Sequence, residues 1–383
     1  MSDADPATPV ALFAGGGSGG HLSPALAVWE RLRESTPSVR AIFACSERAI
    51  DARMLLAAET DFRPLPARPA ALRPGGLVRF IDGFRRSRRQ VRGWMRAEPI
   101  DVVLALGGFV AAPVVAAARD ERVPVILLNL DDPPGRANRW IARRSDDVWS
   151  AIGLRGDPSF ASRITGLPLR HCAVAGPERT AGVCRTQLGL APDRLTLLVT
   201  GASQGAKSLN TLMEVIASRA SKLLRGWQVL HLSGPRDETT LREHYAAAGI
   251  PARVIPFLDE MGLAWGAADV AISRAGANSV AEIVANAVPT LFLPYPYHRD
   301  QHQRNNARPL VDAAAARLET DRIEADANLT AIRPVLSEML LSAPVRARLR
   351  RNLEALRGGD AAADVARGLL SRMRVAAGAA SGD

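Results

Sequence analysis

At 383 residues the chain is longer than one ordinary domain of roughly 100–200 residues and suits two. Its 47% hydrophobic and 23% charged residues exclude a disordered or fibrous protein, and no apolar run approaches the ~20 residues that cross a bilayer. The formal charge of +10 rests almost wholly on arginine, since the only lysines are Lys207 and Lys222.

The chain begins with an acidic, Pro-containing stretch, Met1 to Pro9, without the basic start and apolar middle of a secretory signal, which predicts a cytosolic protein. Short runs rich in Val, Leu and Ile then alternate with amphipathic stretches of helical length, the pattern of βαβ units on a parallel sheet. In the first half the predicted strands are Val10 to Ala14, Val39 to Cys45, Asp101 to Leu106, Val123 to Leu128 and Asp147 to Ala151. In the second they are Leu195 to Gly201, Gln228 to Ser233, Arg253 to Phe257, Asp269 to Ser273 and Thr290 to Leu293. A linker rich in turn formers and arginine, Thr165 to Asp193, joins the halves, and Ala343 onward reads as helices with a small-residue tail. The expectation is an α/β protein of two Rossmann-like domains, 1–165 and 166–345, with 346–383 as C-terminal helices packing back. Ligands would bind in the cleft that their parallel sheets face across. Cys45, Cys172 and Cys184, odd in number and without a CxxC pair, predict buried free thiols rather than disulfides or a zinc site.

In each half the first strand runs into a small-residue loop and a helix: Gly15-Gly16-Gly17-Ser18-Gly19-Gly20-His21, and Gly201-Ala202-Ser203-Gln204-Gly205-Ala206. Glycines let the backbone approach a ligand, and the free N–H groups and dipole of the following helix face it. The first loop lacks the Gly-Lys-Ser/Thr ending of a P-loop and the glycine spacing of a nicotinamide site. A purely structural turn is the lesser alternative. His21, at a cleft mouth, has the chemistry to take a proton from an attacking hydroxyl, although a lone histidine is often only a hydrogen-bonded structural group. The second loop suits a nucleotide diphosphate, or is a tight turn with a Ser cap. Arg274 to Glu282 again joins strand to helix, with Glu282 placed for a ribose diol or simply as a dipole partner. His298, Asp300, Gln301, His302 and Gln303 form a polar cluster without the second ligand set that a metal would need.

Taken with Pro24, Gly107-Gly108, Thr165-Gly166 with Pro168 and Arg170, and Gln303 with Asn306-Ala307, these motifs resemble the MurG family from about residue 10 to residue 320. These are inverting N-acetylglucosaminyltransferases of the GT-B fold that complete lipid II in peptidoglycan synthesis, and so serve cell-wall biogenesis, cell shape and division. The resemblance implies UDP-N-acetylglucosamine as donor, lipid I as acceptor, no cofactor or metal, and cell-wall synthesis and division proteins as further partners. It implies His21 as general base, with Ser18, Gly19 and Gly20 lining the sugar side. Arg170, Ser203 and Gln204 would lie at the diphosphate, and Leu258 would hold uracil through its main chain. Ala277, Asn278, Ser279, Val280, Ala281 and Glu282 would bind ribose and phosphate, and Gln303 the sugar. Where the family shows His-Glu-Gln-Asn, this chain reads Leu128-Asn129-Leu130-Asp131, so the family's asparagine contact falls on Asp131, and Leu167 replaces another asparagine. An aspartate keeps acceptor oxygens, loses the amide donor and adds charge. Another lipid or metabolite acceptor, or an idle UDP-sugar-binding protein, is the alternative.

From Arg63 to Arg96 ten arginines accompany one acid, Asp82. Leu77, Phe80 and Phe84 interleave with Arg85, Arg86, Arg88 and Arg89, so apolar anchors and guanidinium groups would meet an anionic membrane peripherally, at the cytoplasmic face of the inner membrane. The same pattern also describes a solvated helix whose apolar side joins the core. No nucleic-acid reading motif accompanies the charge.

Overall fold

The computed structural model describes residues 8–17, 19–70, 74–154, 156–201, 205–297 and 301–373. The chain divides into two compact units, Met1–Arg170 with Gly358–Asp383, and His171–Arg357.

The first unit is a parallel sheet of β1 (Val10–Ala14), β2 (Arg40–Ser46), β3 (Asp61–Leu65), β4 (Val102–Ala105), β5 (Val125–Asn129), β6 (Asp147–Ser150) and β7 (Arg163–Ile164). Their order is β3-β2-β1-β4-β5-β6-β7. Between them run α1 (Gly19–Ser35), α2 (Ala49–Ala57), α3 (Pro74–Ala97), α4 (Gly108–Asp120) and α5 (Arg136–Ala142). Central strands buried on both faces need continuous apolar runs, and β1, VALFA, is buried at every position. Its alternate side chains serve opposite layers. Phe13 stacks on Phe43 at 4.8 Å within the cluster holding Leu22 and Leu26 of α1, whereas Leu12 joins Val91 of α3 and Val110 of α4.

The second unit opens with α6 (Ala181–Gln187) and carries β8 (Leu195–Thr200), α7 (Lys207–Arg219), β9 (Trp227–Leu232), α8 (Glu238–Ala247) and β10 (Ala252–Ile255). It continues with α9 (Met261–Ala267), β11 (Val270–Ser273), α10 (Ala277–Asn286), β12 (Thr290–Phe292), α11 (His302–Asp312), β13 (Arg317–Leu318), α12 (Ala325–Leu341) and α13 (Ala343–Ala355). Strand order is β10-β9-β8-β11-β12-β13, all pairs parallel. The chain then returns to the first unit as α14 (Ala361–Leu370), which packs along α1 and buries Val365 and Leu369 in its core.

The ten predicted strands are present, with ends shifted by one or two residues. Three more, β3, β7 and β13, escape an apolar-run reading because they are short or polar and lie toward sheet edges. β3 is DFRPL, with two charges and a proline. The segment read as a linker divides otherwise. Residues from His171 onward belong to the second unit, where α6 packs on α9 and Arg185 is buried, bonded to Ala267 O, Pro192 O and Asp269. None of the three cysteines is in a disulfide. Cys45 and Cys184 are buried, Cys172 half-buried, and burial followed by the charge of Asp51 pushes the Cys45 thiol up to about 12.

Candidate active site

Each sheet reverses its direction of growth once, between β1 and β4 in the first unit and between β8 and β11 in the second. Crossovers leave such a point on opposite faces, opening a crevice at the strand carboxyl ends where ligands bind. The glycine-rich turns fall at these two points.

In the first unit, Gly16 (φ +151°) and Gly17 (φ +88°) link β1 to α1, while Gly107 (φ +97°) and Gly108 (φ +77°) link β4 to α4. All four positions are shut to larger residues or nearly so. A Cβ on Gly16 would lie 2.5 Å from Asp51 Oδ2, one on Gly17 2.7 Å from the Phe109 ring, and one on Gly107 2.2 Å from Asn138 Oδ1. One on Gly108 would approach Cε1 of His21 to 3.4 Å, so that glycine makes room for the ring. His21 lies in the first turn of α1, half-buried, and its Nδ1 is buried without a hydrogen-bond partner among the described residues. Gly19 and Gly20 open the same helix, and Ser18 lies outside the described residues. Asp51, Arg48 and Phe109, which hold the turn, have no motif in the sequence to announce them.

In the second unit, Gly201 and Gly205 bound the turn after β8. A Cβ on Gly201 would lie 2.3 Å from Ala206 N, and one on Gly205 (φ +69°) 2.4 Å from Ser233 O. Ser203 and Gln204 lie outside the described residues. After β11, α10 begins at Gly276 without a side-chain cap, so the N–H groups of Ala277, Asn278 and Ser279 face outward along the helix axis. Val280 and Ala281 complete that turn, and Glu282 follows, half-buried, with Oε2 accepting from Trp265 Nε1 at 2.8 Å. Desolvation pushes the Glu282 carboxyl up to about 7 despite this bond. Its Oε1 has no hydrogen bond among the described residues. Arg274 is buried beside this turn, paired with Asp321 at 2.7 Å and donating to Ser208 Oγ at 2.7 Å and to Leu293 O. Asn306 Nδ2 donates to Ala275 O (3.1 Å), Gln303 Oε1 accepts from Tyr295 N (2.9 Å), and Leu258, past β10, is half-buried with an unpaired main chain among the described residues. His298 and Asp300 lie outside the described residues. Among the described residues no three His, Cys, Asp or Glu side chains gather as a metal site would require.

Comparison with known proteins identifies both units. Residues 11–150 match the glycosyltransferase family 28 N-terminal domain, and residues 196–353 the glycosyltransferase family 28 C-terminal domain. The chain belongs to glycosyltransferase family 28. A relative from Leifsonia xyli subsp. xyli is 38% identical over 315 residues, covering 81% of this chain and 84% of its own. One from Mycobacterium ulcerans is 35% identical, covering 97% and 93%. Both are named UDP-N-acetylglucosamine--N-acetylmuramyl-(pentapeptide) pyrophosphoryl-undecaprenol N-acetylglucosamine transferase. The crystal structure of Acinetobacter baumannii MurG shares the GT-B fold at TM-score 0.69 and 23% identity, covering 95% of this chain and 99% of that one. The glycotransferase of kitacinnamycin does so at TM-score 0.65 and 18% identity, covering 96% and 100%. The protein is therefore an enzyme, a glycosyltransferase.

The stretch Leu128 to Asp131 at the end of β5 is well built. Leu128 is core. Asn129 is buried and committed, with Oδ1 accepting from Asn138 Nδ2 (2.8 Å) and Nδ2 donating to Asp131 O (2.8 Å) and Ser150 Oγ (3.1 Å). Asp131 itself is exposed. Arg170 pairs with Glu30 of α1 at 2.8 Å, inside the first unit.

Along α3, Leu77, Val78 and Ile81 are exposed, as are Arg85, Arg86 and Arg89. Phe80 and Phe84 are half-buried, and Phe84 meets the edge of Trp140 on α5 at 6.0 Å. Arg88 is held by both oxygens of Asp120 at 2.7 Å, which keeps that carboxyl below its usual range. Among the described residues no helix is long and apolar enough to cross a membrane.

Proposed function

We propose that this glycosyltransferase moves N-acetylglucosamine from UDP-N-acetylglucosamine to the muramyl hydroxyl of lipid I, the reaction for which its curated relatives are named. The observation that carries the reading is the coincidence of the family's motifs with the switch points of both parallel sheets. In this reading His21 accepts the proton of the acceptor hydroxyl as its oxygen bonds to the anomeric carbon and the bond to the diphosphate oxygen breaks, inverting that centre. With Nδ1 turned into the protein, Nε2 is the nitrogen left to meet the hydroxyl.

The departing UDP gathers charge on its diphosphate, which preorganised donors stabilise without moving. The uncapped start of α10 supplies such donors, and Ser203 and Gln204 add theirs. Glu282 Oε1 accepts from the ribose diol, the Leu258 main chain pairs with uracil, and Gln303 offers its amide N–H to a sugar hydroxyl. Arg170, whose Nε donates to Glu30 Oε1 at 2.8 Å, is assigned to the diphosphate through its remaining guanidinium N–H groups. Ser18, Gly19 and Gly20 line the sugar, and Asp131 presents its carboxylate to a hydroxyl or amide donor of the acceptor. Incubation with labelled UDP-N-acetylglucosamine and a lipid I analogue, beside a diacylglycerol control, tests the assignment. Labelled lipid II is expected, and product on the control alone would overturn the acceptor.

The exposed face of α3 supports peripheral attachment at a cytoplasmic membrane surface, with Leu77, Val78 and Ile81 entering the interface and Arg85, Arg86 and Arg89 meeting anionic head groups. Flotation with anionic liposomes should disappear when these three arginines become Glu. Unchanged flotation would remove the face from the account.

A further inference from the structure

We infer that Asp51 is the positioning residue of the first glycine turn and that it sets where the His21 ring stands; this rests on the reading of His21 as the base. Asp51 lies in the first turn of α2, 34 residues beyond Gly17, and meets the turn because β1 and β2 run parallel with Ala14 beside Ala44. It is fully buried. Its Oδ2 accepts from Gly17 N at 2.8 Å, Ser46 N at 3.1 Å and Ser46 Oγ at 2.6 Å. On the other side of the same residue, Arg48 donates to Gly17 O and lies over the Phe109 ring at 5.8 Å, and that ring fills the space a Gly17 side chain would take.

Two consequences follow from a residue held at its N–H by a carboxylate and at its C=O by a guanidinium. Gly17 N–H is unavailable to a ligand, so the donors this turn can offer begin beyond it, at the start of α1. The turn is also fixed to β2 rather than left to adjust, and His21 inherits that placement, since its Cβ lies 3.4 Å from where a Gly15 side chain would begin and its ring borders Gly108. Asp51 thus commits one oxygen to three donors, Gly17 N–H and both polar groups of Ser46, which tie the turn to β2. It leaves the other oxygen, Oδ1, buried and unpaired among the described residues.

Asp51→Asn keeps the shape and removes the charge that strengthens the three bonds. Gly16→Ala leaves every polar group in place and drives a Cβ against Oδ2. Arg48→Ala, at an exposed position, frees the Gly17 carbonyl and keeps the test open if either buried substitution prevents folding. With UDP-N-acetylglucosamine and a lipid I analogue, each variant that melts like the wild type should lose ~10-fold or more in kcat, the scale of an ångström-level misplacement. KM for the donor should stay within about twofold. In a His21→Ala background the same substitutions should cost nothing further, because no ring remains to be displaced. Equal losses in both backgrounds, or wild-type kcat in the folded single variants, would overturn the role of Asp51 alone. Near-normal turnover of His21→Ala by itself would overturn the base reading, and this inference with it.

Discussion

The two glycine turns hold equivalent places in their sheets but are secured by different physics. The first is gripped by charge, a carboxylate on Gly17 N–H and a guanidinium on its C=O. The second is seated by packing and hydrogen bonds, with charge acting one side chain removed: Asp237 accepts from Asn210 Nδ2 at 2.7 Å, and Arg274 and Asp321 hold Ser208. Gly205 lies against Ser233 O, which also accepts from Asn210 Nδ2 at 2.9 Å, and Asn210 Oδ1 pairs with Nε2 of His231. His231 is fully buried with Tyr245 OH on its other nitrogen, and burial pushes it down to about 3, so it stays neutral. One turn leads to a half-buried imidazole, and the other to a helix start without a side-chain cap. In the function proposed above, the difference separates the tasks of a transferase, activating the acceptor and stabilising the leaving group.

The sharpest way to break this comparison is His21→Ala. Turnover should fall ~10²–10⁴-fold with UDP affinity little changed, since a base acts in the transition state and touches no nucleotide. Calorimetric UDP binding beside steady-state kcat decides it, and near-normal turnover would leave the first turn a structural feature. Second in size is Arg274→Ala, which strands the buried carboxylate of Asp321, otherwise held below its usual range by Ser208, Asn328 and Ile323 N–H as well as Arg274. Breaking one side of a buried pair costs about 3–5 kcal/mol, so denaturant midpoints should drop clearly and UDP affinity with them. A change below about 1 kcal/mol would show that the ion pair does not brace the second turn.

Much of this division could be read along the chain, and the rest could not for definite reasons. Buried parallel strands such as VALFA and LTLLVT announce themselves as apolar runs. The turns do so by small residues after such runs. Asp51 does not, because its partner is 34 residues away and is reached only through the β1–β2 register. Likewise Arg88 looks like its neighbours Arg86 and Arg89 in sequence, yet its position on α3 brings it to Asp120 at the end of α4. Arg170 similarly finds Glu30, 140 residues earlier. Local pattern specifies elements and turn chemistry; pairings across elements, and hence which charges are already satisfied, emerge only with the fold.

The smallest effect sharpens the comparison most, because pH acts on the second unit through Glu282, on α10 beyond its glycine turn. Glu282 is pushed up to about 7 from 4.5 by desolvation, which the Trp265 indole bond only partly offsets. A carboxyl raised on folding contributes stability that is complete below about pH 4.5 and is lost as pH rises through about 7, up to ~3 kcal/mol over that span. Glu282→Gln should therefore be neutral near pH 4.5 and stabilising above pH 7. Nucleotide binding runs the other way. Ribose hydroxyls donating to Oε1 favour the ionised form, so UDP binding should release a proton near pH 6.5, and affinity should rise with pH up to about 7 in the wild type and stay flat in Glu282→Gln. Calorimetry in buffers of different ionisation enthalpy measures that proton directly. A pH-independent wild-type affinity from about 5.5 to 8 would mean that Glu282 does not receive the diol, and the start of α10 would then have only its N–H groups to offer the nucleotide.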